Sequence, residues 1–196
     1  MFIKQLYTGC LSEAAYYIES EGEAAIIDPL RDIDEYITLA KERNAGIKYI
    51  FETHFHADFV SGHLDLSKQT GAPIIYGPGA KTNFKVHNSK DGEIFKLGKI
   101  NFEVLHTPGH TLESACYLLK DENDKAHALF TGDTLFVGDV GRPDLSSGNM
   151  SSEELAGIMY DTIQNKILPL ADDVIVYPAH GAGSSCGKNL GPNTFS

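Results

Sequence analysis

Four apolar segments of this chain each run into a short turn that carries a histidine or an aspartate. Residues 47–51 lead into THFHAD, and residues 100–106, 128–130 and 174–177 lead into TPGH, TGD and YPAH. Short apolar runs bounded by glycine and proline are typical of buried strands. Functional side chains are often carried by the turns at the rim of a sheet. We therefore expect these four turns to meet at one rim.

The segment THFHAD is the strongest indication of chemistry. If the chain stays extended after the strand, side chains at positions i, i+2 and i+4 project to one side. His54, His56 and Asp58 would then converge on one point. Two imidazoles and a carboxylate aimed together are typical of a first-row metal site. The alternative is a polar loop whose histidines cap backbone groups, and the combination of three ligand types favours the metal.

The rest of the pattern predicts two packed sheets covered by helices rather than a doubly wound sheet. One helix is expected from Ile33, with Asp32 as N-cap and Glu35 completing a capping box, and another follows Ser151 with Glu154 in the same role. A short helix is expected over 64–69. The strands are expected near 2–7, 14–19, 24–28, 47–51, 73–76, 93–96, 100–106, 115–119, 126–130 and 174–177.

Composition limits the class of protein. The 196 residues suffice for one domain, 1–196, with a substantial core. The formal net charge of −11 disfavours binding to nucleic acid or to anionic membranes. No apolar run approaches the roughly 20 residues of a membrane helix, and no signal-peptide pattern precedes the first strand, so a cytoplasmic location is expected. The odd cysteine count without a CxxC pair predicts reduced thiols.

The motifs THFHAD, TPGHT, TGDTLF and YPAHG, in that order, resemble the metallo-β-lactamase superfamily over essentially the whole chain. The resemblance implies an α+β fold, the αββα sandwich, with metal between the sheet edges. Hydrolytic members resemble HxHxDH and hold two metals bridged by the later aspartate. Here Phe59 stands at the last histidine of that motif. Phenylalanine cannot ligate, and its ring is expected to fill part of the second metal's space, so one metal per chain is expected.

The longer stretches FETHFHADFVSGH, LFTGDTLFVGDVGRPDL and YPAHGAGSSCG resemble the persulfide dioxygenases, especially those fused to rhodanese-type sulfurtransferase modules. That resemblance implies one mononuclear Fe(II), with zinc as the alternative, held by His54, His110 and Asp133. Two histidines and one carboxylate suit Fe(II) because they leave positions open for O₂ and substrate. The other ligand-type residues would support these ligands or hold an auxiliary metal: His56, Asp58 and His180.

Two residues beyond the motifs are candidate substrate contacts. Arg142 could grip a carboxylate or phosphate of a thiol carrier, or fix its own loop by pairing with Asp139 or Asp144; both uses fit a guanidinium. Cys186 could accept sulfur or sit near the substrate, and an inert loop thiol is the competing interpretation.

The expected reaction is oxidation of a low-molecular-weight thiol persulfide by O₂ to sulfite and thiol. The alternative is a dinuclear thioester hydrolase of the glyoxalase II type, which would share the fold and most ligands. A further alternative is a non-catalytic metal- or thiol-binding module. Relatives of this kind are expected to continue beyond Ser196, often into sulfurtransferase modules, so a truncated domain, a fused or partner sulfurtransferase, and a homodimer or tetramer are all expectations.

Overall fold

The structure is a computed structural model, and it describes residues 1–144, 150–182, 184–186 and 194–196. Within these residues the chain forms two mixed sheets and three α-helices. The strands are β1 Phe2–Thr8, β2 Glu13–Ser20, β3 Glu23–Ile27, β4 Gly46–Phe51, β5 Ile74–Tyr76, β6 His87–Asn88, β7 Ile94–Leu97, β8 Ile100–His106, β9 Ala115–Lys120, β10 Ala126–Gly132 and β11 Ile175–Pro178. The helices are α1 Asp34–Glu42, α2 His63–Thr70 and α3 Ser152–Thr162, which runs into a π-helical turn, Ile163–Ile167.

The two sheets follow the chain in order. The first sheet has the order β1-β2-β3-β4-β5-β6, antiparallel from β1 to β3 and parallel from β3 to β6. The second has the order β11-β10-β9-β8-β7, in which only β10 and β11 are parallel. The parallel connection from β3 to β4 is made by α1, and that from β10 to β11 by α3, as parallel strands require a crossover.

Three apolar clusters pack the four layers of the fold against one another. The largest lies between the sheets and contains rings from both, among them Tyr16, Phe51 and Phe102. A second cluster packs α1 and α2 against the outer face of the first sheet, and a third packs Ile163 and Ile167 against the outer face of the second. The arrangement is helix, sheet, sheet, helix, which confirms the predicted αββα sandwich. None of the helices in the described residues is long and apolar enough to cross a membrane.

The two predicted capping boxes have different outcomes. At α3 the box is confirmed: Ser151 Oγ accepts from the Glu154 backbone N–H at 3.1 Å, and Glu154 Oε2 accepts from the Ser151 N–H at 2.7 Å. At α1 the box is not formed, because the helix begins at Asp34 with Ile33 at the N-cap, although Asp32 Oδ1 still accepts from the Asp34 backbone N–H at 3.2 Å. Glu35 is then only the second helical residue and cannot reach back to the cap; it contacts Lys4 Nζ at 3.5 Å instead.

Hydrogen bonds join the sheets at one rim, where β4, β8, β10 and β11 end. The Ala115 N–H donates to Thr53 O at 2.8 Å, and the Tyr117 hydroxyl donates to Glu52 O at 2.8 Å. Gly132, at φ 51°, closes the end of β10, and a Cβ there would collide with the Thr53 side chain. The rim is therefore packed closely enough to fix the turns that follow each strand.

Candidate metal centre

The histidines and aspartates of the four turns do meet at this rim, but not at a single point. Ligand-type side chains there form three groups, each with its ligand atoms within 4.8 Å of one another. The first cluster is His54, His110 and Asp133; the second cluster is Asp58, His180 and Cys186; the ion-pair cluster is Asp28, Glu52 and His56.

The prediction that His54, His56 and Asp58 converge is wrong, because each belongs to a different cluster. Residues 53–54 and 57–59 form bends, so the alternation of an extended strand does not persist beyond the end of β4 at Phe51.

The first cluster joins three turns. Asp133 Oδ2 lies 3.5 Å from His110 Nε2 and 3.9 Å from His54 Nε2. All three residues are buried, and neither carboxylate oxygen of Asp133 has a hydrogen-bond partner among the described residues. A buried carboxylate without partners is costly unless a cation completes it. Two imidazole nitrogens and a carboxylate facing one space have the chemistry of a first-row metal site, so the residues fit a metal.

Hydrogen bonds at the opposite ring nitrogens hold the imidazoles of the first cluster in place. His54 Nδ1 lies 3.0 Å from Thr53 Oγ1, which itself donates to Asp28 Oδ2 at 2.8 Å. His110 Nδ1 lies 3.0 Å from the carbonyl oxygen of Arg142. With Nδ1 donating in both, Nε2 keeps its lone pair for the metal. Burial, together with the neighbouring histidines, lowers the pKa of His54 well below its ordinary value, which favours the neutral ligand form.

The second cluster lies beside the first, with Asp133 between them. His180 Nε2 is 3.2 Å from Asp58 Oδ2 and 3.5 Å from Asp133 Oδ1. Its Nδ1 faces the carbonyl oxygen of Ser12 at 3.1 Å and Glu13 Oε2 at 3.2 Å. Burial opposes protonation of His180, but contacts with Asp58 and Cys186 and the charge of Asp133 raise its pKa to about 12.

His56 belongs to the ion-pair cluster and not to the first cluster. Its Nε2 lies 3.0 Å from Asp28 Oδ1 and 3.5 Å from Glu52 Oε2, and its side chain is 2% exposed. Burial alone would lower the pKa of His56, but the two carboxylates outweigh it and raise the pKa to about 10. The imidazole of His56 therefore faces Asp28 and Glu52, whose negative charges it offsets when protonated.

Phe59 does not occupy the space expected for it. Its ring lies on that of His56, with centroids 4.3 Å apart, and it faces a separate pocket with Phe55, Tyr76 and Phe84. The cavity above the first and second clusters has a volume of about 410 Å³ and is open to solvent. It is lined by all three residues of the first cluster and by Asp58 and Cys186 of the second. The other lining residues are Phe55, Ala57, Thr111, Glu113 and Ser185. The expectation that Phe59 fills part of the second metal's space is therefore wrong.

Arg142 fixes its own loop in this structure. Its guanidinium grips Asp144 with two hydrogen bonds, Nε to Oδ1 at 3.1 Å and Nη2 to Oδ2 at 2.6 Å. It also reaches the carbonyl oxygen of Ser185 at 3.4 Å. The side chain of Arg142 is not among those lining the cavity, whereas Cys186 is. A substrate contact by either residue stays a prediction.

The acidic residues that contact the cluster histidines and Thr53 were not predicted from the sequence. Asp28 accepts from both the N–H and the hydroxyl of Thr53, each at 2.8 Å. Glu52 accepts from Ser61 and contacts His63, and Glu13 contacts His180. A signal was present in Asp28 and Glu52, since each follows an apolar strand directly, where an acidic residue is unexpected unless it is paired.

The sequence profile of the metallo-beta-lactamase superfamily matches residues 8–180. The hydroxyacylglutathione hydrolase GloC of Haemophilus influenzae is 31% identical over 90% of this chain and 89% of its own length. Further hydroxyacylglutathione hydrolases, from Schizosaccharomyces pombe, Polaromonas and other organisms, are 30–35% identical, and the chain spans 51–66% of their lengths.

Two crystal structures are similar over the whole chain. A metallo-beta-lactamase from Staphylococcus aureus has a TM-score of 0.91 and 41% identity, and this chain covers 59% of it. ETHE1 from Myxococcus xanthus has a TM-score of 0.83 and 29% identity, with 79% of it covered. The chain belongs to the metallo-beta-lactamase superfamily, whose members bind metals.

The persulfide dioxygenase expectation is wrong. The curated relatives named above are hydroxyacylglutathione hydrolases, which supports the thioester-hydrolase alternative. The ligand motifs alone could not separate an oxygenase from a hydrolase, because a metal site formed by His54, His110 and Asp133 can serve either reaction.

Proposed function

We propose that this chain is a metal-dependent hydrolase that cleaves the thioester of a hydroxyacyl-glutathione, giving a hydroxy acid and the free thiol. The observation that carries the proposal is the first cluster, a buried set of metal ligands with an unpartnered carboxylate, at the floor of an open cavity. Similarity to hydroxyacylglutathione hydrolases, which extends over most of the chain, supports the choice of substrate.

The metal would be held by His54, His110 and Asp133. A metal at such a site supplies Lewis-acid polarisation of a carbonyl and a lowered pKa for water. Thr53 and the Arg142 carbonyl keep both Nε2 atoms aimed at it. The ligands are therefore set before substrate arrives, so little reorganisation is needed during the reaction.

Asp58 is placed to handle the proton of the attacking water. Its side chain is 31% exposed, whereas the carboxylate of Asp133 is 1% exposed. Asp58 Oδ2 lies 3.2 Å from His180 Nε2. Burial opposes ionisation of Asp58, but the contact with His180 lowers its pKa overall, so the group is a carboxylate at neutral pH. Water adds to the acyl carbon and gives a proton to the Asp58 carboxylate. The C–S bond then breaks, and that proton passes to the leaving sulfur to give the thiol.

The test is thiol release from S-lactoylglutathione by protein loaded separately with Zn²⁺ and Fe²⁺. We expect turnover with at least one metal, abolished by a chelator and by His110→Ala. The matched control is His127→Asn, which changes a histidine of β10 outside all three clusters and should leave turnover intact. Protein that binds metal at the first cluster and releases no thiol would contradict the proposal and would favour a non-catalytic module.

A further inference from the structure

We propose that an aromatic pocket beside the metal cavity receives the acyl side of the thioester and selects acyl groups that carry an apolar ring. This pocket, the ring pocket, has a volume of about 300 Å³, and its apolar walls are Phe55, Phe59, Val60, Tyr76 and Phe84. The inference rests on the proposed function and adds the class of acyl group to it.

The ring pocket is continuous with the metal cavity at Phe55, which lines both. The Phe55 ring packs on Tyr76, with centroids 4.9 Å apart, and its backbone N–H donates to Glu113 Oε1 at 3.1 Å. Phe55 is still 37% exposed, so its ring forms a wall between the two spaces and is not part of the core. An acyl group seated in the ring pocket can therefore keep its carbonyl on the metal side of this wall.

The other rings of the pocket are held by neighbouring imidazoles. Phe59 lies on His56, with centroids 4.3 Å apart, and Phe84 is stacked on His63, with centroids 5.1 Å apart. Supported rings of this kind offer flat apolar faces, which suit a second ring in an offset or edge-on arrangement.

The polar side chains of the ring pocket are engaged with one another. Ser61 Oγ donates to Glu52 Oε1 at 2.6 Å, and His63 Nδ1 lies 3.1 Å from the same oxygen. Glu52 is fully buried, and His56 lies against both Glu52 and Asp28. The surface left for a ligand is therefore mostly that of the rings.

Charge favours the acyl side of the substrate over its glutathione side. Among the described residues that line the ring pocket there is no lysine or arginine, and behind it two carboxylates, Asp28 and Glu52, face one imidazole, that of His56. Glutathione is anionic and would lose hydration there without gaining a cation. An apolar acyl group instead gains from leaving water. Phe59 and Val60 are thus specificity-determining residues of the proposed reaction.

The experiment compares S-mandeloylglutathione, whose acyl group carries a phenyl ring, with S-lactoylglutathione, which carries a methyl group at the same carbon. We expect the metal-loaded chain to have the higher kcat/KM for the mandeloyl thioester. Val60→Asp places a charge in the ring pocket at a side chain that is 66% exposed, and should lower the ratio of mandeloyl to lactoyl kcat/KM by at least about 10-fold.

Leu64→Asp is the matched control. Leu64 is an apolar residue of α2 that is 47% exposed and is not among the residues lining the ring pocket, so its substitution should leave the ratio unchanged. Both rates are measured on one preparation, so a variant that folds poorly loses both activities together and keeps the ratio. An unchanged ratio in Val60→Asp, or an equal fall of the ratio in Leu64→Asp, would overturn the inference.

A binding measurement separates failure of this inference from failure of the proposed function. Fluorine NMR of para-fluoromandelate should show binding to the metal-loaded wild type and to Leu64→Asp, and binding at least about 10-fold weaker to Val60→Asp. If neither thioester is cleaved, the proposed function fails, but this pattern of binding would still assign an aromatic ligand to the ring pocket. Binding that Val60→Asp leaves intact would overturn the assignment whether or not a thioester is cleaved.

Discussion

His54 and His56 stand two residues apart in the same turn, yet their surroundings shift the pKa values of their imidazoles in opposite directions. His54 faces His110 and Asp133, and burial among other histidines lowers its pKa. His56 faces Asp28 and Glu52, whose charges raise its pKa to about 10. The role of each histidine is therefore set by the carboxylates that contact it from other segments, and not by its position in the motif.

The largest effect should come from removing a ligand of the first cluster. His54→Gln keeps the volume of the side chain but aims no ring nitrogen at the site. Loss of partners that only orient ligands costs roughly 10–100-fold in affinity or activity, so loss of the ligand itself should cost at least about 100-fold. Metal content and thiol release measure this. Unchanged metal content would show that His54 is not a ligand.

His56→Gln should lower the stability of the fold more than it weakens metal binding. It leaves Asp28 and Glu52 without their cation, and an uncompensated buried charge costs about 3–5 kcal/mol of unfolding free energy. Urea unfolding of metal-free protein measures the loss, and adding Glu52→Gln should recover part of it. The folded variant should still bind metal at the first cluster. If it loses that metal without losing stability, His56 is a ligand after all.

Thr53 contacts both the first cluster and the ion-pair cluster. Thr53→Val should therefore have a smaller effect on both metal binding and stability. The hydroxyl donates to Asp28 and faces His54 Nδ1. Its loss should weaken metal binding by roughly 10-fold, since the ring of His54 is no longer oriented, and should cost about 1 kcal/mol of stability. Competition with a chelator measures the affinity. Thr53→Ser, which keeps the hydroxyl, should behave like the wild type.

Loss of an exposed ion pair should lower stability less than loss of the buried cation His56. Lys166 pairs with Asp91 at the surface, with their side chains 33% and 49% exposed. Burial opposes ionisation of Asp91, but Lys166 and the His106 N–H lower its pKa overall. Asp91→Asn should cost no more than about 1 kcal/mol, because water screens the pair.

The pH dependence of that cost follows from the direction of the shift. A carboxyl whose pKa is lower in the folded state stabilises above its unfolded pKa, and this contribution disappears as pH falls through the folded pKa. Thermal unfolding of wild type and Asp91→Asn should therefore differ at neutral pH and converge in acid. A difference that persists in acid would mean that the pair acts through packing.

Much of the fold could be predicted from local pattern. The four strand exits, the capping box at Ser151 and the helix near Leu64 are short-range features, and the structure has them where the sequence indicates. The capping box at α1 is not formed because the helix begins one residue later than predicted, which places Glu35 out of reach, although Asp32 still accepts from the Asp34 N–H. Boundaries of this kind depend on competing local hydrogen bonds and are the least certain part of such predictions.

The candidate site was only half predictable. The residues of the first cluster were named by the resemblance to the persulfide dioxygenases, whereas the rim argument predicted only that the four turns come together. Sequence reasoning missed Asp28 and Glu52 as partners of His56, and it placed Phe59 in the wrong pocket. These errors share one cause: the rule of alternating side chains holds within an extended strand, and the chain bends after Phe51.

The sequence by itself determined which residues carry ligand chemistry, that they lie at strand exits, and which superfamily's sandwich they belong to, since each of these is written in short-range patterns. Only the tertiary structure decided where each side chain goes. It pairs His56 with Asp28 and Glu52, and it places Cys186 beside Asp58 and His180. The physical reason is that charges and ligands brought together from distant segments set both the direction and the protonation of a side chain, and no local pattern records those distances.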